Sequence, residues 1–364
     1  MNVLNTFIFG ARATAASLYK ALSVLEPEKK IKAFLVSDTE ENVLEIWGCP
    51  VKALSDVSEE LTNNEKNNAL VYVAVPELVH RDVKEILKSY GFRMFIMLDS
   101  RMEADVMERF FEREGKFKSV HSLPINNNHT EIPKLTIYVA SFYKDKPLEN
   151  SRDLPTFFKK LYLGCACAIK DGVDVSGQAD FYDNTGDNIS EQNPKLCELT
   201  AHYWVWKNRL NTNDEYVGIC HYRRILDLTE FDLKRIAEND VDVILPYPML
   251  HYPNAGIHHR WYVSEQDWES MRKAVSDIYP EYAEIFDDVF QESGFYNYNI
   301  LLAKKNVFAD YCAWLYPLLH RIEELSNNKR DRYAGYVSES LETLYFMANF
   351  NGLKIFHTGR LLFT

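Results

Sequence analysis

Short apolar runs alternate with amphipathic stretches along the first third of the chain, and this alternation is typical of strands and helices in α/β proteins. The apolar runs that we interpret as strands are residues 3–9, 31–36, 69–75 and 94–98. A helical pattern covers residues 15–25, between the first two of these strands. The pattern predicts a small, doubly wound parallel sheet of the Rossmann-like kind.

A polar segment then interrupts the pattern. Residues 116–134 are rich in Ser, Pro, Asn and His, which is typical of a linker. We therefore predict a Rossmann-like domain at 1–115, a linker at 116–134 and a second α/β domain at 135–364. Its predicted strands are residues 136–140, 216–220, 243–245, 300–303 and 354–356. Its clearest predicted helix is 194–209, with Asn193 as the N-cap and Pro194 at the first helical position.

Length and charge limit the possible functions. The chain has 364 residues, which favours two domains. A formal charge of -12 argues against a nucleic-acid partner, because such partners are usually bound by a basic stripe. No apolar run approaches the roughly 20 residues that span a bilayer, and no N-terminal signal is recognisable, so we expect a cytoplasmic protein. The six cysteines lack the C-x-x-C spacing of zinc sites, and we predict no metal ligands.

The first predicted strand ends in a turn that keeps only one glycine of the dinucleotide-binding fingerprint, Gly10. Asp38, after the second strand, has the position of a ribose-binding carboxylate, but an aspartate there also suits a turn. Two interpretations of the first domain stay open. It binds a nicotinamide cofactor, or it is a structural, regulatory or docking unit.

Ligands of open α/β sheets bind beyond the carboxyl ends of the strands. The residues that follow the predicted strand 216–220 are His221, Tyr222, Arg223 and Arg224. Paired guanidinium groups can stabilise the charge of a departing nucleoside diphosphate, although a surface cluster of ion pairs has the same sequence. Ser141 and Pro246 follow two other predicted strands, so we expect them at the same edge.

A polar loop precedes the predicted helix, and its candidate binding residues are Asp183, Gly186, Asp187 and Asn188. Carboxylates and amides can distinguish the hydroxyl patterns of sugars, but these residues also form turns readily. On the helix, Glu198 is the better candidate for a polar role, and Lys207 lies further along.

Glu339 opens a later predicted helix, where it either deprotonates an acceptor hydroxyl or complements the helix dipole. Asn299 directly precedes the predicted strand 300–303. Asp240 and Asp242 form an Asp-x-Asp pair, but they precede a strand and therefore lie at the wrong end of the sheet for a ligand. We interpret that pair as structural.

Four motifs carry a resemblance to a known family. They are GDNIS at 186–190, CELTAHYWVWKN at 197–208, VGICHYRR at 217–224, and the asparagine-strand-helix unit around Asn299. With them, residues 136–356 resemble bacterial polysaccharide glycosyltransferases formerly catalogued only as a domain of unknown function, which include capsule and O-antigen galactofuranosyltransferases. The family often has Glu-Arg-Leu where this chain has Glu339-Ser340-Leu341.

The resemblance implies a GT-A-like second domain that uses a nucleotide sugar. It places the His-Tyr-Arg-Arg run where many relatives of that fold carry a metal-binding acidic motif. We therefore expect arginine to neutralise the diphosphate. We assign no cofactor with certainty, and the need for a divalent metal stays open.

Our leading hypothesis is transfer of a sugar, possibly galactofuranose, from a uridine diphosphate donor to a hydroxyl of an oligosaccharide or lipid-linked glycan. In it, Arg223 and Arg224 stabilise the leaving group, Asp187 and Asn188 orient the sugar, and Glu339 or Glu198 is the base. A lipid-linked acceptor would place the protein peripherally at the inner face of the plasma membrane. The alternatives are a non-catalytic glycan-binding or assembly module and an NAD-dependent enzyme that modifies nucleotide sugars.

Overall fold

The structure is a computed structural model, and it describes residues 5–37, 42–125, 131–148, 153–258, 262–326 and 332–364. Asp38 and residues 126–130 of the predicted linker lie outside the described residues. We call residues 5–115 the N-terminal half and residues 135–364 the C-terminal half, in each case for the described residues only.

The N-terminal half is a twisted sheet with helices. Its strands are β1 (Thr6–Phe9), β2 (Ile31–Val36), β3 (Glu45–Ile46), β4 (Cys49–Ala53), β5 (Leu70–Val73) and β6 (Met94–Met97). Its helices are α1 (Ala13–Leu25), α2 (Leu54–Glu60), α3 (Asn63–Asn67), α4 (His80–Ser89) and α5 (Ser100–Glu114). The strand order is β3-β4-β2-β1-β5-β6, and all neighbours are parallel except β3 and β4. The predicted doubly wound arrangement follows from this order, with β1 at the centre.

Close packing explains the glycine that follows β1. Gly10 has φ 114°, and a Cβ there would lie 2.7 Å from the backbone oxygen of Ala74. A side chain at this position would collide with the neighbouring chain segment. The glycine is therefore required by packing, whether or not a nucleotide binds.

The C-terminal half contains a larger mixed sheet and a separate pair of short strands, β13 (Met249–Leu250) and β14 (Gly294–Phe295). The strands of the larger sheet are β7 (Leu135–Phe142), β8 (Phe158–Leu163), β9 (Phe181–Tyr182), β10 (Tyr216–His221), β11 (Arg224–Leu226), β12 (Val243–Pro246), β15 (Leu301–Lys304), β16 (Ile355–Thr358) and β17 (Arg360–Leu362). Its helices are α6 (Cys165–Lys170), α7 (Asn193–Leu196), α8 (Leu199–Asn208), α9 (Glu230–Glu238), α10 (Glu265–Ile278), α11 (Pro280–Gln291), α12 (Lys305–Leu325) and α13 (Tyr333–Ala348). The predicted α/β fold class is confirmed.

The direction of the strands decides which residues share an edge of this sheet. The main order is β16-β12-β15-β10-β7-β8-β9, in which β15 runs antiparallel to both of its neighbours. The carboxyl ends of β7, β10 and β12 therefore meet the amino end of β15 at one edge. At the opposite edge, Lys304 forms ion pairs with Asp240 and Asp242, so the Asp-x-Asp pair is held by a lysine.

One predicted helix is wrong in detail. The single helix at 194–209 is two helices, α7 and α8, because the backbone at Cys197 takes φ 50°. Asn193 does not act as the predicted N-cap. Its side-chain amide donates instead to the carbonyl of Cys197 at 2.9 Å and to Oγ1 of Thr200 at 3.0 Å, bridging the break between the helices. This break places Glu198 at the N-cap position of α8.

The two halves pack against each other directly. A buried apolar cluster joins them and consists of Ala21, Met107, Phe110, Phe111, Tyr247 and Leu250. The backbone N–H of Leu250 donates to Oγ of Ser17 at 2.8 Å, across the same contact. The described part of the predicted linker is packed as well, since Val120 and Leu123 are buried in the core of the C-terminal half.

Candidate active site

The end of one strand and the starts of two others meet at the edge that we expect to bind a ligand. His221 ends β10 and pairs with Arg224 at the start of β11, so Tyr222 and Arg223 form the tip of a tight hairpin. Asn299 lies just before β15. Because β15 runs antiparallel, this residue reaches the same edge as the hairpin.

Glu198, Asn299 and Glu339 are brought together at this edge. The side-chain amide of Asn299 donates to Oε1 of Glu198 at 2.8 Å, and Nε2 of His221 lies 3.9 Å from the same oxygen. The backbone N–H of Tyr298 donates to Oε1 of Glu339 at 3.1 Å. Tyr298 and Asn299 have φ values of 79° and 51°, which costs non-glycine residues conformational energy. Such strain is often found at functional sites.

Burial gives these carboxyl groups unusual proton affinities. It raises the pKa of Glu198, and it raises the pKa of Glu339 to about 8, with the negative charge of Glu198 as the next cause. The pKa of Glu342, one turn further along α13, is raised well above its ordinary value by burial and by the charges of the other two. Glu339 and Glu342 therefore hold their protons near neutral pH.

Several arginines surround the same region. The guanidinium of Arg224 lies 4.1 Å from the centre of the Tyr298 ring, and that of Arg360 lies 4.8 Å from it. Burial lowers the pKa of His221 to about 3, and the charges of Arg224, Arg332 and Arg360 contribute to this effect. The imidazole is therefore neutral at physiological pH.

Within the described ranges, three arginines at this edge, Arg223, Arg224 and Arg332, form no ion pair with a carboxylate, whereas Arg360 pairs with Glu103. The buried Nε of Arg223 has no hydrogen-bond partner among the described residues. Asp145 lies near enough for the charges of Arg223 and Arg332 to oppose the rise that burial causes in its pKa. Guanidinium groups left without an anion beside neutral or protonated residues can accept an anionic ligand.

The loop of residues 183–190 is fixed by its own contacts. Asp183 is buried and accepts hydrogen bonds from the backbone N–H groups of Gly164 and Cys165, at 2.8 and 3.1 Å, and from Oγ of Ser190 at 2.5 Å. Its oxygens thus serve the turn that opens α6. The carboxylate of Asp183 is therefore engaged in hydrogen bonds within the protein.

The rest of this loop lies along the second half of α8. Tyr203 donates to a carboxylate oxygen of Asp187 at 3.1 Å, and Asn208 bonds both backbone groups of Asp187. The side chain of Asn188 donates to the carbonyl of Gly186 at 3.0 Å. Because Glu198 is at the other end of α8, whose ten residues span about 15 Å, Asp187 and Glu198 are not neighbours.

The other predicted residues lie in different surroundings. Ser141 is buried at the end of β7, and its hydroxyl has no partner among the described residues. The backbone N–H of Tyr222 donates to the carbonyl of Ala140 at 2.9 Å. Pro246 ends β12 and is buried, whereas Lys207 is exposed and covers the Trp206 ring at 3.4 Å.

Sequence reasoning missed Arg332, Arg360, Tyr298 and Glu342. The same strand-end rule could have indicated Arg360, which is the second residue after the end of β16. The spacing of three residues between Glu339 and Glu342 could have indicated that they share a helix face. No local pattern singles out Arg332, which precedes α13 and contacts the site through tertiary packing.

No group of three or more His, Cys, Asp or Glu side chains is arranged to hold a metal ion in the part of the chain that the structure describes. No helix within the described ranges is long and apolar enough to cross a membrane.

Residues 151–350 match the family described as a domain of unknown function, DUF4422. A solved structure, the apo form of the WbbM bifunctional glycosyltransferase, is similar with a TM-score of 0.54 and 26% sequence identity. The similarity covers 63% of this chain and 45% of that chain, so the protein spans less than half the length of that structure. No curated protein matches the chain significantly. Because the family match extends over more than half of the sequence, the protein belongs to the DUF4422 family.

Proposed function

We propose that the protein is a glycosyltransferase that moves a sugar from a nucleotide sugar to a hydroxyl group of a surface-polysaccharide acceptor. The observation that carries the proposal is the group of arginines without carboxylate partners beside buried glutamates, at the ligand-binding edge of the sheet. The likeness to a bifunctional glycosyltransferase supports it. Uridine diphosphate as the carrier and galactofuranose as the sugar are the finer form of the proposal.

In this proposal, Arg223 and Arg224 bind the diphosphate. Negative charge grows on the bridging oxygen as the nucleoside diphosphate departs, and nearby guanidinium groups lower the energy of that state. His221 is neutral because its pKa is lowered to about 3, so it adds no charge but is able to accept or donate a hydrogen bond. Arg332 and Arg360 increase the positive potential of the same region.

The proposed general base is Glu339, with Glu198 as the other candidate. A carboxyl group with a pKa of about 8 is a stronger base than an ordinary glutamate, and its pKa lies near the working pH. The ionised form can take the proton of an acceptor hydroxyl as that oxygen attacks the sugar. The bond from the sugar to the diphosphate breaks, and the diphosphate carries away the electron pair.

Asp187 and Asn188 are proposed to orient a sugar ring. They lie beside the second half of α8, away from Glu198. Only a ligand as elongated as a nucleotide sugar, or an oligosaccharide acceptor, could contact this loop and the arginines together. A lipid-linked acceptor would bring the protein to the inner face of the plasma membrane as a peripheral protein.

The test is thermal stabilisation and donor turnover with a panel of nucleotide sugars, with and without divalent metal. A ligand at 100 times its Kd stabilises the folded state by about 2.7 kcal/mol. We expect uridine diphosphate sugars to raise the melting temperature. Arg224→Ala should lower kcat by about 10²–10³, the usual effect of removing a group that stabilises transition-state charge. Arg321→Ala is the control, because Arg321 forms surface ion pairs with Asp277 and Glu324.

Three outcomes would contradict the proposal. Stabilisation by nicotinamide nucleotides alone would move the chemistry to the N-terminal half. Binding of an oligosaccharide without any donor turnover would indicate a glycan-binding module. Full turnover in Arg224→Ala would remove that arginine from the mechanism.

A further inference from the structure

The side chain of Arg360 connects the arginine group to the N-terminal half. Glu103 lies on α5, and its Oε2 is 3.6 Å from Nη2 of Arg360. The two side chains are only 19% and 14% exposed, so the ion pair is poorly screened by solvent. On its other side, the same guanidinium lies over the Tyr298 ring. A residue of the N-terminal half is thus one side chain away from the proposed active site.

The backbone around Arg360 is held by the same helix. The N–H of Leu362 donates to Oγ of Ser100 at 2.9 Å. A Cβ on Gly359 would lie 2.6 Å from Cβ of Ala104, so the strand passes very close to α5. Since β17 also pairs with β11, which opens with Arg224, a movement of α5 would be transmitted to both arginines.

We propose that Glu103 is a positioning residue, which acts through Arg360 and makes the N-terminal half a necessary part of the active site. It fixes the guanidinium beside Tyr298 and prevents it from turning toward other carboxylates in the region. The kinetic test of this inference rests on the proposed function, because it measures sugar transfer. The competing explanation is an ion pair that only holds the two halves together.

A matched control separates the two explanations. Glu108 lies on the same helix, but it contacts Ser119 and His121, at 2.5 and 2.8 Å, and not the arginine group. Glu103→Gln and Glu108→Gln therefore both disturb α5, and only the first affects Arg360. We expect Glu103→Gln to lower kcat at least about tenfold with KM nearly unchanged, because small misplacements of catalytic groups are costly. Glu108→Gln should keep the wild-type kcat, and equal losses in the two variants would overturn the proposal.

A double-mutant cycle tests whether Glu103 acts through Arg360. In an Arg360→Ala background, Glu103→Gln should cause no further loss of kcat, because its partner is already absent. Independent, multiplying losses in the double mutant would show that Glu103 acts by another route, and they would overturn the proposal.

Hydrogen exchange supplies a readout that does not depend on the activity. Glu103→Gln should speed the exchange of backbone amides in β11 and β17, relative to wild type and to Glu108→Gln. If the wild-type protein transfers no sugar, the proposed function fails and this measurement alone decides the role of Glu103. Unchanged exchange in both strands would then overturn the proposal.

Discussion

Glu339→Gln should stabilise the protein, and the gain should grow as the pH rises. The pKa of Glu339 is about 8 in the folded protein against an ordinary value of 4.5, so between these values the folded state holds a proton that the unfolded state releases. Because only the folded state binds this proton in that range, the free energy of unfolding falls by about 1.4 kcal/mol for each unit of rising pH. Glutamine keeps an oxygen for the N–H of Tyr298, but it has no proton to lose.

From pH 5 to pH 7, the variant should therefore gain roughly 3 kcal/mol relative to wild type. With about 2.1 cal/mol/K of unfolding entropy per residue, a chain of 364 residues would melt about 4 °C higher. The assay is a series of thermal melts of both proteins at half-unit steps of pH. Titrating groups that do not interact with Glu339 are common to the two proteins and cancel in the difference.

Glu85→Gln is the control, because Glu85 is exposed and the neighbouring Lys88 lowers its pKa. Its replacement should give no gain as pH rises. A constant difference between wild type and Glu339→Gln across the pH range would refute the reasoning, since it would mean that Glu339 has the same proton affinity in both states.

Two further predictions follow from the site and its loop. Donor turnover should rise with pH up to about 8, where Glu339 loses its proton, and a kcat/KM profile that is flat or falling between pH 6 and 8 would exclude this residue as the base. Gly186→Ala should destabilise the protein, since Gly186 has φ 59° and its new Cβ would lie 2.0 Å from Oδ1 of Asn208. We expect it to cost about 1–3 kcal/mol more than Gly177→Ala, the worth of the two hydrogen bonds between Asn208 and Asp187. Gly177 has φ 70° and open space around it, so equal losses in thermal melts of the two variants would contradict this.

The sequence predicts where a site residue lies when that position depends only on where a nearby strand ends. His221 to Arg224 were expected at the carboxyl end of a strand, and there His221 ends β10 and Arg224 begins the strand that folds back on it. Asn299 was recognised as a strand neighbour, but only the antiparallel direction of β15 explains why it reaches Glu198. Strand direction depends on contacts distant in sequence, and a single strand does not reveal it.

Other features depend on tertiary packing alone. The break at Cys197 was missed because cysteine has no preference for positive φ, and only the surrounding hydrogen bonds maintain it. Arg332 and Glu103 have ordinary neighbours in sequence, and their importance comes from what packs against them. The predicted sugar-binding role of Asp187 stays a prediction, as do the predicted domain boundaries.

The local group of arginines also has a consequence for the kinetics of encounter. The protein carries a net charge of -12, so at very low salt, where electrostatic effects extend about 30 Å, an anionic ligand is repelled by the molecule as a whole. At 0.1 M salt the range shrinks to about 10 Å, and the ligand near the hairpin tip then experiences mainly Arg223, Arg224 and their neighbours. Moderate salt should therefore speed the association of a diphosphate, whereas it slows association with most proteins that steer an oppositely charged ligand.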